Sequence, residues 1–502
     1  MNDRKVVIIG AGLGGLFCAA ILSKEGWPVC VLEKHYRAGG GLHTFVRNGF
    51  TFDTGMHCLA GFEEGGVLQK LCHYLGVFNK LSFAPYDSDA FDTLYIGSDG
   101  ARYRFPIGEE AFMAQMIHYF PHQQKQIEKY MSDLASITDP VDMLRLCYNE
   151  QAVTYERGLG LESLGHFMEQ RFSDSKIIGT LLWNSGLYGG DLDYTPTYLL
   201  AVISRIFIKG ATRFSNGAQP LADALVEEIR KNGGEVRLKA EVCTVEVGDH
   251  KAVTGVRLVS GERIGGTHFI STVHPALSLS WFPQGVFSKA FTNRINEQKH
   301  TDSTFYLFII LKPERFPFLN SNLFYANDYK DICKPPLWEE SGPSTLMAFT
   351  APSGKEGAFA RTLKISSPIS FDGFRQWQGT LPGQRGDEYE AYKQKYIQML
   401  LAGALKVFPN LPEAIDTLFA ASPITYQYYT GSVDGSNYGF SKDYRSLHFS
   451  RLLPRTKLGN FFFSGQNLNM HGIVGVPISA VITCGELIGL KYLLEKINGN
   501  RL

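Results

Sequence analysis

Apolar and polar positions follow several rhythms along this chain, and the first forty residues set the clearest one. The run Val6-Val7-Ile8-Ile9 leads directly into Gly10-Ala11-Gly12-Leu13-Gly14-Gly15, and a helix-compatible stretch follows over 16–24. After Gly26 a second apolar run, Val29-Cys30-Val31-Leu32, ends on Glu33. The order predicts strand, glycine turn, helix, strand and acid. Such a turn needs residues that tolerate positive φ, with no Cβ where backbone must approach a pyrophosphate. The helix that starts there points its free N–H groups and the positive end of its dipole at the anion.

Further along, residues 45–55 alternate as a short hairpin around Asn48-Gly49, a strong two-residue turn signal. Residues 66–75 are predicted helical, and 90–105 as a strand pair turning at Ser98-Asp99-Gly100. Stretches 109–136 and 161–208 are predicted mainly helical. The apolar patch 197–208 is expected to be a buried helix rather than a bilayer surface. Residues 217–275 return to α/β order: a helix over 220–231, then strands over 235–238, 240–247, 252–258 and 268–271. These would supply the sheet pieces that one βαβ unit lacks. Between 285 and 449 the periodicity is mixed, with apolar strands at 304–311 and 346–351 and a helix at 388–407.

Near the C-terminus, Asn460-Phe461-Phe462-Phe463-Ser464-Gly465 reads as a buried strand closing on a glycine. A polar loop over 466–470 follows. Gly472-Ile473-Val474-Gly475-Val476 then opens a long helix, with Pro477 expected in its first turn, where a missing N–H costs little.

The chain has 502 residues, enough for two or three domains, and its 49 basic residues balance 49 acidic ones. No net field therefore recruits nucleic acid or an acidic partner. Eight scattered cysteines form no C-x-x-C pair or metal spacing, so no metal site is expected and most should be reduced core thiols. With no leader before the first strand and no apolar run long enough for a membrane span, a cytoplasmic protein is expected.

Glu33 lies at the tip of the second strand, where a carboxylate accepts hydrogen bonds from adenosine ribose hydroxyls and repels a 2′-phosphate. NADP is thereby disfavoured. The continuation Lys34-His35-Tyr36-Arg37-Ala38-Gly39-Gly40-Gly41-Leu42-His43-Thr44 adds a second glycine cluster that lets the chain fold back over a long ligand. FAD fits this better than NAD. The N-terminus of the last helix suits the pyrimidine edge of a flavin, where its N–H groups stabilise the charge that reduction adds.

Taken together, these residues resemble the flavoprotein family of phytoene desaturases, carotenoid isomerases and retinol saturases, most closely the retinol saturase (all-trans-retinol 13,14-reductase) branch. The resemblance rests on Gly39-Gly40-Gly41-Leu42-His43-Thr44-Phe45 and Phe52-Asp53-Thr54-Gly55-Met56-His57. It continues through Ser422-Pro423-Ile424-Thr425, Tyr438-Gly439, Ser464-Gly465-Gln466 and Gly472-Ile473-Val474-Gly475. It implies an α/β fold of the discontinuous, glutathione-reductase-like or amine-oxidase-like kind: a Rossmann-type FAD-binding domain with an inserted α+β substrate domain. The FAD domain would comprise 1–75, 210–284 and 450–502, and the substrate domain 76–209 and 285–449. It also implies non-covalent FAD stretched from Gly10 to the last helix, backbone near Val242 and Cys243 at the adenine, and a hydrophobic tunnel meeting the flavin. The chain departs from the family at Gly41-Leu42, where many relatives carry arginine, and at Gln466, where an acid often holds the ribitol. No second G-x-G-x-x-G is present, so a dedicated nicotinamide domain is not expected.

The expected cofactor contacts are thus Gly10, Gly12, Leu13, Gly14, Gly15, Glu33, Lys34, Gly40, Gly41, Leu42, His43, Thr44, Val242, Cys243, Gly465, Gln466, Gly472, Ile473, Val474 and Gly475. Acid–base candidates are His57, then His471 and His43, each within a cofactor-contacting motif; Asp53 is expected to brace its loop. The leading function is an FAD-dependent oxidoreductase that saturates or desaturates a C=C bond of an apolar polyene or isoprenoid substrate. The alternatives are a redox-neutral carotenoid-type cis/trans isomerase using reduced FAD, and a non-catalytic prenyl-lipid binder like the Rab GDP-dissociation inhibitors. Peripheral membrane contact enters because such substrates live in bilayers. The redox partner is left open.

Overall fold

The structure is a computed structural model. It describes residues 4–149, 160–249, 251–352, 358–447, 452–468 and 470–499. The expected domain boundary at 449/450 lies outside the described residues, as does residue 469 of the expected polar loop.

Five parallel strands form one sheet, in the order Phe461–Phe463, His268–Ser271, Val6–Ile9, Val29–Leu32 and Glu235–Arg237. Side chains alternate across it. Val6, Ile8, Val29 and Val31 pack under the helices Leu13–Lys24, Gln219–Lys231 and Gly472–Ile488. Val7, Ile9, Cys30 and Leu32 face a separate three-stranded antiparallel sheet of Val242–Val247, Val253–Leu258 and Arg263–Gly265. With both faces covered, the parallel strands need no polar alternation, which is why they read as unbroken apolar runs.

That second sheet corrects one expectation. Only 235–237 and 268–271 join the parallel sheet, whereas 242–258 forms a one-sided meander. Val253, Val256 and Leu258 are buried while Thr254 and Arg257 face solvent, the alternation of an antiparallel sheet with one wet face.

A second large sheet has seven strands, in the order Ile415–Ala421, Ser303–Leu311, Thr362–Ile369, Thr345–Thr350, Asn322–Ala326, Asp92–Ile96 and Arg102–Phe105. Its one parallel pair joins Asn322–Ala326 to Asp92–Ile96. Phe305, Leu307, Ile309, Leu363 and Ile365 pack against the helix Asp387–Leu405. Period-two alternation therefore turns Tyr306, Phe308, Lys364 and Ser366 to the other face. Three of these strands, 322–326, 362–369 and 415–421, were not anticipated. The polar Lys364, Ser366 and Ser367 conceal the second of them.

The hairpin Thr44–Arg47 and Phe50–Asp53 forms as expected, with Asn48 and Gly49 at φ 50° and 81°. Over 161–208, only Leu164–Glu169, Ser175–Leu181 and Thr197–Gly210 are α-helical; the rest is mainly turns. The last of these is the expected buried helix. Its Arg205 is buried and reaches Glu109 and Asp139 at 2.6 Å each. Pro477 lies in the second turn of the C-terminal helix rather than the first, so its missing N–H leaves the Ile473 carbonyl without its intrahelical donor. No helix among the described residues is long and apolar enough to cross a membrane.

Candidate active site

Gly10, Glu33, Thr272 and Gly465 follow the carboxyl ends of four parallel strands, and all four line one cavity of about 380 Å³. Open α/β sheets bind ligands in this crevice, where the strand order reverses.

The cavity's first half is made of backbone. Gly10 has φ 98°. A Cβ on Gly15 would stand 1.9 Å from the Gly10 carbonyl oxygen, so this glycine lets the helix close on the strand. A Cβ on Gly12, Gly41 or Gly472 would meet nothing within 4 Å; all three line the cavity, and side chains there would project into its open space. The helices at Leu13 and Gly472 start without side-chain caps, leaving first-turn N–H groups for a ligand. The chain's two ends meet here. A Cβ on Gly14 would lie 3.2 Å from the Gly465 Cα, and Cys18 Sγ donates to Ser464 Oγ at 3.5 Å.

Glu33 is buried on this wall, where its two oxygens accept the N–H groups of Ala11 (2.8 Å) and His35 (3.0 Å). These bonds fix the carboxylate in place, and each oxygen keeps acceptor capacity for a hydroxyl. Gly39 N–H donates to the Ala11 carbonyl at 2.8 Å, folding the second glycine cluster across the first turn. Lys34, at the mouth, donates to the Tyr428 carbonyl at 3.0 Å.

Of the anticipated cofactor contacts, Leu13, Gly14, Lys34, Gly40, Leu42, Val242, Gln466, Ile473, Val474 and Gly475 also line the cavity. Gly15, His43, Thr44 and Cys243 do not. Gly15 is buried behind the turn, Thr44 pairs with Asp53 in the hairpin, and Cys243 is exposed beside Val242. His43, expected among the acid–base candidates, instead braces its own loop: Nε2 lies 2.9 Å from the Arg37 carbonyl. Asp53 braces as anticipated, accepting the Ala218 N–H at 2.9 Å.

The cavity's other half is made of side chains. Val202, Ile203, Ile206 and Phe207 of the buried helix form an apolar wall, joined by Leu187 and Met347. Tyr306, Tyr426 and Tyr438 form an aromatic one, and burial raises all three hydroxyl pKa values.

Among the described residues, five buried polar atoms on the lining of this cavity find no partner: His57 Nε2, Ser366 Oγ, Ser436 Oγ, Asn437 Oδ1 and His471 Nε2. Each such atom costs about 1–3 kcal/mol unless a ligand satisfies it. A ligand edge carrying both donors and acceptors, as a flavin's pyrimidine ring does, meets that demand. The residues present fit FAD.

His471 is the N-cap residue of the C-terminal helix, packed on Tyr438 with ring centroids 4.7 Å apart. Burial, then the charge of Lys442, pushes its pKa down to about 3. His57 is held neutral in the same way, by burial first and then by the Lys364 ammonium. Its Nδ1 lies 3.2 Å from the Gly55 carbonyl oxygen and 3.5 Å from Lys364 Nζ. Lys364 is itself buried, and its pKa falls to about 8 by desolvation, with the Asp53 carboxylate opposing.

Lys364, Ser366, Ser436 and Asn437 escaped the sequence reading. One signal was present: a lone lysine between Leu363 and Ile365 in a run otherwise fit for a core strand.

A family model described as flavin-containing amine oxidoreductase matches residues 13–486. The chain is 25% identical to the all-trans-retinol 13,14-reductase of Homo sapiens, over 98% of this chain and 86% of that protein. It is 24% identical to the 1-hydroxycarotenoid 3,4-desaturase of a Flavobacterium, over 96% and 98% respectively. Among solved structures, an oxidoreductase from Methanosarcina mazei shares the fold with TM-score 0.64 and 16% identity, covering 95% of this chain and 98% of that one.

Proposed function

This chain belongs to the family of flavin-containing amine oxidoreductases, and from that premise we propose that it is an FAD-dependent oxidoreductase acting on a C=C bond of an apolar polyene or isoprenoid substrate. One observation carries the reading: a single cavity joins a backbone cradle for a dinucleotide to an apolar and aromatic chamber. The names of the two relatives give a retinoid and a carotenoid as those proteins' substrates, and we extend that chemical class to this chain. The similarity to a reductase of retinol favours saturation.

In this reading the first-turn N–H groups after Gly12 hold the pyrophosphate, Glu33 the adenosine ribose, and Val242 the adenine. Gln466 offers its amide to the ribitol, and the N-terminus at Gly472 faces the pyrimidine edge. When bound, the flavin supplies hydride exchange at N5. The chain's own contribution is to exclude water, orient the alkene and manage one proton. Val202, Ile203, Ile206 and Phe207 shed water from the chamber, and the three tyrosine rings confine an extended chain. His57 is the acid–base residue and acts through Nε2, a nitrogen with no partner among the described residues. His471, at the helix start, instead hydrogen-bonds the cofactor. The division into FAD-binding pieces 1–75, 210–284 and 450–502 around substrate pieces 76–209 and 285–449 belongs to the same proposal. So does a cytoplasmic protein that meets bilayers peripherally to collect its substrate.

Anaerobically reduced holoprotein incubated with all-trans-retinol and with a linear carotene tests this. A product heavier by two hydrogens is expected from at least one of them. An unchanged mass with shifted retention would establish isomerisation instead, and recovery of both polyenes untouched would overturn the substrate class.

A further inference from the structure

His57 lies where two cavities meet. One is the main cleft; the other, of about 50 Å³, shares with it, among the described residues, only Met56 and His57. This smaller cavity reaches from the exposed Thr51 and Ala351 to the half-buried Asp53 and the buried Lys364. Lys364 Nζ is 3.5 Å from the Asp53 backbone oxygen and 3.5 Å from His57 Nδ1, between the rings of Tyr306 and Phe349. Among the described residues, the other charged or titratable groups on the small cavity are Tyr86 and Arg213.

The imidazole has two options at Nδ1. If Nδ1 carries the proton, it donates to the Gly55 carbonyl oxygen; if it is bare, it accepts from the Lys364 ammonium. The charge state of Lys364 thus decides which nitrogen of His57 carries hydrogen, and with it whether Nε2 is a donor or an acceptor. We propose that the small cavity and Lys364 form a proton inlet to His57, separate from the path taken by the substrate, with Lys364 as the positioning residue that sets the imidazole tautomer.

The inlet rests on the reading of the main cleft as the place where a C=C bond is saturated. There the alkene gains a hydride, with its electron pair, which a bound reduced flavin would supply at one carbon, and a proton at the other. The Nε2–H bond breaks as the new C–H bond forms, while an N–H bond of the Lys364 ammonium breaks and Nδ1 takes that proton. His57 ends neutral with hydrogen on Nδ1, and Lys364 ends as a neutral amine that water in the small cavity reprotonates. Burial suits both partners to this exchange: Lys364 gives up a proton near pH 8, and His57 is never a standing imidazolium at neutral pH. Desaturation runs the same path in reverse.

Side-chain ¹⁵N NMR of the oxidised holoprotein, with the His57 signals assigned through His57→Gln, tests the inlet without any substrate. In the wild type, hydrogen is expected on Nε2 near pH 6 and on Nδ1 once Lys364 has lost its charge near pH 10, with a midpoint at about 8. Lys364→Met should hold hydrogen on Nδ1 throughout, and should lower kcat on the polyene roughly a hundredfold with KM little changed. A His57 tautomer that ignores pH in the wild type would overturn the inlet, whether or not the variant folds; an identical tautomer in Lys364→Met at pH 6 would do the same. Neither result bears on the proposed reaction, which stands or falls on the polyene incubation.

Discussion

Around residues 10–15 the cavity wall is backbone, with glycines at the close approaches and two uncapped helix starts facing inward. Around His57 it is side chain: an apolar row from one helix and three tyrosines from three other segments, with a lysine from the middle of a sheet behind the histidine. The first half is tied to secondary structure and, in the proposed reading, holds the phosphate and ribose. The second half has no such template, so its shape follows from how distant elements happen to pack. Cofactor binding and substrate choice should therefore fail independently when each half is damaged.

The largest expected effect belongs to the backbone half. Gly12→Val places a side chain in the cradle, and the purified protein should lose essentially all of its flavin, read from absorbance near ~450 nm, with the fold retained. Full flavin occupancy in that variant would break the contrast at its root.

A middle-sized effect tests what the side-chain half costs the fold. Lys364 titrates at about 8 in the folded protein against 10.5 when free, so between those values the unfolded chain binds more protons. Stability should accordingly rise with pH across that window, by roughly 3 kcal/mol in total, and Lys364→Met should remove the slope in urea melts. A slope that survives the substitution would assign it to another group.

The smallest effect should leave flavin content untouched. Ile206→Asp puts a carboxyl group on the apolar wall, and kcat/KM for a polyene should fall about thirtyfold, near 2 kcal/mol, while absorbance stays at the wild-type level. Loss of flavin along with activity would mean that the two halves are not separable.

The cofactor half could be read directly from the chain because a pyrophosphate is recognised by a local device. A strand, a turn of glycines, a helix start and an acid at fixed spacing are all contiguous in sequence, and the strand–turn–helix order around Gly10 and Glu33 specifies them. The C-terminal partner was legible for the same reason, since Gly465 and Gly472 follow a strand and open a helix. The fold class and the cofactor were therefore fixed by local order. Even here, packing decided the finer assignments: His43 turned to its own loop, Gly15 went behind the turn, and residues 242–258 made a sheet of their own.

The substrate half had no local signature. Lys364 sits in a strand whose polar residues hide its periodicity, and only pairing with Ser303–Leu311 shows that its side chain turns away from the helix layer toward His57. Val202 through Phe207 read simply as a buried helix, and nothing in their order says that they are buried against a cavity. Periodicity in one segment specifies which face is apolar; what that face meets depends on contacts between segments far apart in the chain, and those exist only once the tertiary structure has formed.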